Sequence, residues 1–89
     1  MSGVLAQNKG PEAIGDLVEY LVRALVDNLD AVSVEAKETD EAVVVTIHVD
    51  PEDIGKVIGR HGSTVRAVRT LARAMGQLDG RRVEVEVAE

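Results

Sequence analysis

From position 14 the chain repeats apolar residues at steps of three and four: Ile14, Leu17, Val18, Leu21, Val22, Leu25, Val26 and Leu29. That spacing lays them along one wide stripe of a long amphipathic helix. Gly10-Pro11 marks its start, because a proline at the first helical position lacks only an N–H that would be unpaired there anyway. Glu12 and Asp16 suit the positive end of the helix dipole, and Gly15 weakens the opening turn slightly. The period then changes to two. Val32, Val34 and Ala36 alternate with Ser33, Glu35 and Lys37. After a polar turn at Thr39-Asp40-Glu41, Val43, Val45, Ile47 and Val49 alternate with Val44, Thr46 and His48. Two β-branched runs of this kind predict a hairpin with one buried face.

Helical signals resume at Asp50-Pro51-Glu52-Asp53, which offers a side-chain cap, a proline at the first helical position and acids in the first turn. The helix must be short, because Gly59 follows closely. Beyond Gly62, Ser63 or Thr64 opens a longer helix with Val65, Val68, Leu71, Ala72 and Met75 on one side, closed by Gly76. Asp79-Gly80 turns the chain, and Val83, Val85 and Val87 alternate with Glu84 and Glu86 in a last strand. The predicted order is α-β-β-α-α-β: an α+β fold with helices packed on one face of a three-stranded sheet. Residues 1–9 are small and polar and are expected to form a flexible tail, leaving residues 10–89 as a single domain.

Composition narrows the function. Tyr20 is the sole aromatic residue, so a ligand base cannot be stacked on sheet aromatics. The absence of cysteine excludes disulfides, thiolate metal sites and cysteine nucleophiles. Two isolated histidines, His48 and His61, make no metal site, and no carboxylate or hydroxyl stands in a catalytic spacing with either. No enzyme activity and no cofactor are therefore expected. Neither a signal peptide nor an apolar stretch approaching the ~20 residues of a membrane span is visible, which makes a cytoplasmic protein the expectation.

Charge changes the picture more than its sum suggests. The net charge is −6, yet Ile54 to Leu78 contains no acid and carries Lys56, Arg60, Arg66, Arg69 and Arg73. That segment holds +5 and the rest of the chain −11. Such a chain repels polyanions except at one place. Near the front of that place lies Gly59-Arg60-His61-Gly62. Its glycines allow backbone angles closed to other residues and leave no side chain between loop and ligand. The loop runs into the start of a helix, where unpaired N–H groups and the dipole attract phosphate. Arg60 and His61 are expected to point outward, one adding charge and the other a hydrogen-bonding edge.

The run Ile58-Gly59-Arg60-His61-Gly62-Ser63-Thr64-Val65, led in by Asp53-Ile54-Gly55-Lys56-Val57, resembles the I-G-x-x-G-x-x-I/V signature of the KH domain. The element order resembles its type II variant, over roughly Pro11 to Val87. That resemblance implies binding of single-stranded RNA, with the loop clamping the backbone of about four nucleotides. Carried over, Gly59, Arg60, His61, Gly62 and Ser63 would meet the sugar-phosphate backbone. Ile54, Val57, Ile58 and Val65 would form the helix packing and an apolar groove floor, and Lys56 would add charge; the helix itself, apart from the resemblance, offers Arg66 or Arg69 to reach phosphates beyond the loop. Small size and the Arg66-to-Ala72 helix look closest to the single-KH proteins of bacteria, the KhpA family. That likeness implies an RNA chaperone or post-transcriptional regulator connected with cell-wall biogenesis and cell shape. It also implies a larger KH partner of the KhpB type, and self-association as a homodimer.

Other readings of the same residues stand beside this one. The glycines alone could be a tight turn in an αα-hairpin, and Arg66, Arg69 and Arg73 could belong to a helix-turn-helix DNA reader. Against the latter, the segment before the turn is too short for a supporting helix. No G-x-x-x-x-G-K-[ST] loop can be read through these glycines. The arginine stripe lies opposite the Val68/Met75 side, where a solvated face is the ordinary reading. The apolar face of the first helix is ordinarily core, and alternatively part of it or of an edge strand forms a dimer interface. The alternative to RNA binding as a whole is a KH-like protein-interaction module with little RNA affinity.

Overall fold

The computed structural model describes residues 10–89; the expected tail at 1–9 lies outside the described residues. Six principal elements follow in order: α1 (Pro11–Arg23), β1 (Ser33–Glu38), β2 (Val43–His48), α2 (Ile54–Ile58), α3 (Ser63–Leu78) and β3 (Val83–Val87). Short 3-10 turns sit at Leu29–Ala31, Pro51–Asp53 and Arg60–Gly62. The α-β-β-α-α-β order and the α+β class are those read from the sequence.

Strand order in the sheet is β1-β2-β3. β1 and β2 pair antiparallel, with Val34 opposite Ile47 and Ala36 opposite Val45. The Thr39 hydroxyl fixes the hairpin turn by donating to the Ala42 carbonyl at 3.0 Å and accepting from the Ala42 N–H at 3.0 Å. β3 joins β2 in parallel, Val43 beside Val83 and Ile47 beside Val87. A parallel neighbour cannot be reached by a tight turn, so the chain must cross over, and α2, the glycine loop and α3 are that crossover.

Alternation does the rest. Val43, Val45 and Ile47 of β2 face the helices and are buried, while Val44, Thr46 and His48 on the other face are half-buried. Ile14, Val18 and Val22 of α1 meet the strand valines, joined by Val57, Val68 and Ala72 from the crossover and by Val83 and Val85 from β3. Each fully buried Val or Ile contributes roughly 1.5–3 kcal/mol relative to exposure, which gives this aliphatic core its strength without aromatic rings. No helix among the described residues is long and apolar enough to cross a membrane.

Three local expectations are corrected. The first helix ends at Arg23 rather than running on to Leu29, because the Asn28 N–H is drawn onto the Asp53 carboxylate at 3.0 Å and its side-chain amide onto Asp50 at 3.0 Å. Those two hydrogen bonds turn the chain out of its helical path. Gly76 does not end α3, which continues to Leu78. Gly76 is instead buried against β3, where a Cβ would stand 2.8 Å from the Arg81 carbonyl oxygen. Leu71, assigned by period to the core side, is 48% exposed.

Candidate nucleic-acid interface

The loop is built by its own neighbours. Asp50 caps the turn that leads into α2, its carboxylate accepting from the Glu52 N–H at 2.9 Å. That bond, together with the Asn28 amide, holds the Asp50 carboxyl below its ordinary pKa. Asp53, next in the turn, is buried at 3% exposure. The Asn28 N–H is the chief cause of its lowered pKa, outweighing the burial that opposes ionisation. α2 is therefore short but anchored at its start. Its single fully buried side chain, Val57, enters the core, and Ile54 and Ile58 are half-buried.

Gly59 ends α2 with φ 77° and ψ 172°, a combination open essentially to glycine alone. A Cβ there would lie 2.8 Å from the Thr64 backbone nitrogen and 2.6 Å from Thr64 Cβ. The close approach of Gly59 to the first turn of α3 makes the loop tight. Gly62 is left-handed at φ 76°, ψ 14°, and leads directly into Ser63, the first residue of α3. Between them His61 also has a positive φ, 56°, the one non-glycine residue to do so among those described. The Gly62 N–H closes back on the Gly59 carbonyl at 3.1 Å. Arg60 and His61 are both exposed, as is Ser63. A sixteen-residue helix thus begins on a compact backbone turn, with its positive dipole end facing the loop.

The other residues expected at the site are placed differently from one another. Val57 is fully buried, so it packs the two helices and offers no surface to a ligand, and Val65 is nearly so at 8%. Ile54 and Ile58, one helical turn apart, leave apolar surface beside the loop. The Lys56 ammonium is engaged: it pairs with Asp27 and lies 3.5 Å from Asp53. The Asp27 carboxylate is the main cause of its raised pKa. Arg66 reaches back to the loop and donates to the His61 carbonyl oxygen at 2.7 Å. Arg69 donates to the Val85 carbonyl of β3 at 3.2 Å. Two of the three stripe arginines thus make distinct contacts, which period alone could not reveal, while Arg73 is exposed as a solvated face would have it.

The structure also gathers, beside Arg73, two basic residues that the sequence reading passed over, Arg81 and Arg82. A cleft of about 270 Å³ at the far end of α3 is lined by Arg73, Gln77, Arg81, Arg82, Val83 and Glu84. Its guanidinium groups are largely balanced, Arg81 by Glu38 and Arg82 by Glu84 at 3.8 Å. Apolar exposure likewise falls on α3, at Leu71 and at Leu78, which is 87% exposed.

With this geometry in view, comparison with known proteins is decisive. The family model described as "KhpA/KhpB, KH domain" matches residues 15–87. The chain belongs to that family. Its relatives include proteins named RNA-binding protein KhpA. That of Aquifex aeolicus is 44% identical over 77 residues, covering 86% of this chain and 98% of its own length. That of Mycobacterium bovis is 46% identical over 74 residues, covering 83% and 89%. Among solved structures, a variant of Aquifex aeolicus Era bound to GDP.AlF4- superposes with a TM-score of 0.61 at 20% identity. The match covers 84% of this chain but spans only 29% of that one, and it speaks for the fold alone. The Gly59–Gly62 turn between α2 and α3 lies within the matched residues.

Proposed function

We propose that this KhpA/KhpB-family chain is a non-catalytic protein that binds single-stranded RNA by clamping its backbone on the Gly59-Arg60-His61-Gly62 loop. The observation that carries this reading is the loop itself. Gly59, in a conformation and a space that a side chain would forbid, and Gly62, in the left-handed region that a side chain adopts only at a cost, expose a turn of backbone at the N-terminus of a long helix, inside the longest acid-free segment of an acidic chain. The names of the relatives point the same way. Arg60, His61 and Ser63 flank the phosphate path, while Ile54 and Ile58 offer aliphatic surface to the bases. Val57 and Val65 support that surface from beneath. Lys56 contributes charge only as its pair with exposed Asp27 opens, and pairs of that exposure hold weakly.

With few cations free for phosphate, affinity is modest and falls with a shallow dependence on salt. Modest, partner-assisted binding suits an RNA chaperone or post-transcriptional regulator of the cytoplasm, the role the family likeness implies, with its connection to cell-wall biogenesis and cell shape. The exposed Leu71 and Leu78 on α3 favour a second, compatible reading. In it a further KH chain, of the KhpB type or a second copy, covers that helix face.

Fluorescence-anisotropy titration of short single-stranded RNAs tests the first reading, with wild type and with Arg60→Asp combined with His61→Asp. Binding by wild type and its loss in the double variant are expected. Equal binding by both removes the loop as the site, and no binding by wild type at low salt leaves the protein-interaction reading.

A further inference from the structure

We propose that Arg66 is a positioning residue: it acts on RNA through the loop, by pinning the left-handed backbone at His61, and not as a phosphate contact. The inference rests on the RNA-binding reading above. It begins from an oddity of the turn. A glycine adopts positive φ freely, but His61, between two such glycines, has a Cβ and still stands at φ 56°, ψ 26°. Negative φ is the commoner state of a residue with a Cβ, histidine included, so a contact that fixes this peptide biases the turn toward its closed shape.

That contact is visible. The peptide unit joining His61 to Gly62 is fixed at both ends. Its N–H, on Gly62, bonds to the Gly59 carbonyl at 3.1 Å. Its carbonyl, on His61, accepts from Arg66 Nη2 at 2.7 Å. Orientation of this plane sets ψ of His61 and φ of Gly62 together, which are two of the angles that give the loop its shape. A charged donor to a neutral carbonyl makes a short, strong bond, and this one comes from the rigid first turns of α3. Gly62 lies beside the same group: a Cβ at that position would rest in ordinary contact with Nη2, at 3.5 Å. The neighbouring Arg60 carbonyl accepts from the Ser63 N–H. With Arg66 in place, the carbonyl oxygens of Gly59, Arg60 and His61 all have internal donors. That arrangement suits an anion site, because a freely turning carbonyl would present negative charge to phosphate.

The test separates contact from positioning by salt and by a double-mutant cycle. Titrations of a short single-stranded RNA are run over a range of salt with wild type, Arg66→Gln, His61→Gly and the combined variant. For a positioning residue, Arg66→Gln reduces affinity roughly tenfold, as expected if the competent loop is populated about a tenth of the time, with the salt slope unchanged. In the His61→Gly background the same substitution costs less than about twofold, because glycine needs no brace at positive φ. If instead the slope falls by about 0.7 and the cost is the same in both backgrounds, Arg66 meets phosphate directly and the proposal is overturned. A second measurement needs no RNA. Backbone NMR of free Arg66→Gln should show His61 and Gly62 shifted or broadened while the rest of α3 is unmoved, and unchanged signals there overturn the proposal. Failure of wild type to bind any RNA overturns the RNA reading instead, and the NMR result then decides the brace alone.

Discussion

The two ends of α3 use glycine for opposite purposes. At the front, Gly59 and Gly62 stand at positive φ and shape a backbone surface that faces outward. At the rear, Gly76 is an ordinary helical residue whose missing Cβ lets β3 lie against the helix, with Val83 and the Arg81 carbonyl in the space. One end spends its glycines on a ligand surface and the other on packing. The comparison teaches that a glycine's role is set by what would meet its Cβ and by its φ, and that these need not point to the same use.

Substitutions can sharpen or break that contrast. The largest effect should come from Gly59→Ala, which suffers both a forbidden conformation and a clash with Thr64; a loss of about 2–3 kcal/mol in urea unfolding is expected, with RNA binding lost as well. Gly76→Ala should cost about 1–2 kcal/mol, since the clash exceeds the helix propensity that alanine gains. RNA affinity per folded molecule should stay at the wild-type value, and a matching loss of affinity would erase the distinction between the two ends. For Gly62→Ala the expected cost is about 1 kcal/mol, from the left-handed backbone, with a disproportionate fall in RNA affinity read by anisotropy.

Acid offers a gentler probe of the front end. Asp53 has a lowered pKa in the fold, so its contribution to stability is complete above the unfolded value and fades as pH falls through the folded one. Asp53→Asn should therefore unfold at lower urea than wild type at neutral pH. The gap should close as pH drops below about 4, where the unfolded carboxyl begins to take up its proton. A gap that persists undiminished at lower pH would mean that shape, not charge, anchors α2. Smallest of all, Leu78→Gln should shift stability by no more than about 0.5 kcal/mol, since that side chain is almost wholly exposed.

Much of this was legible in the sequence, for a physical reason. Helical and strand periods are local, so the element order and the hairpin turn at Thr39 could be read directly. The GxxG loop was legible too, because glycine at both ends of a turn is a local signal. The unread parts depend on partners far along the chain. Asp27 and Lys56 stand 29 positions apart, and no periodicity announces their pairing. The end of α1 is decided by Asp50 and Asp53, which lie beyond two strands, so the apolar repeat overran the real boundary. Gly76 looked like a stop because its reason for being glycine, the approach of Val83, is a contact between elements. Arg66 looked like a member of a stripe because a helical wheel shows direction but not length, and the guanidinium turns back to the loop.

The parallel pairing of β2 with β3 has a kinetic consequence. Pairing β3 with β2 requires the segment from Val49 to Arg82 to close on itself, and the tight glycine turn lies within that segment. Refolding speed thus becomes a readout of the binding loop. A substitution that stiffens the turn in the wrong conformation should slow the chain's return from denaturant, even where the folded form, once reached, is little changed.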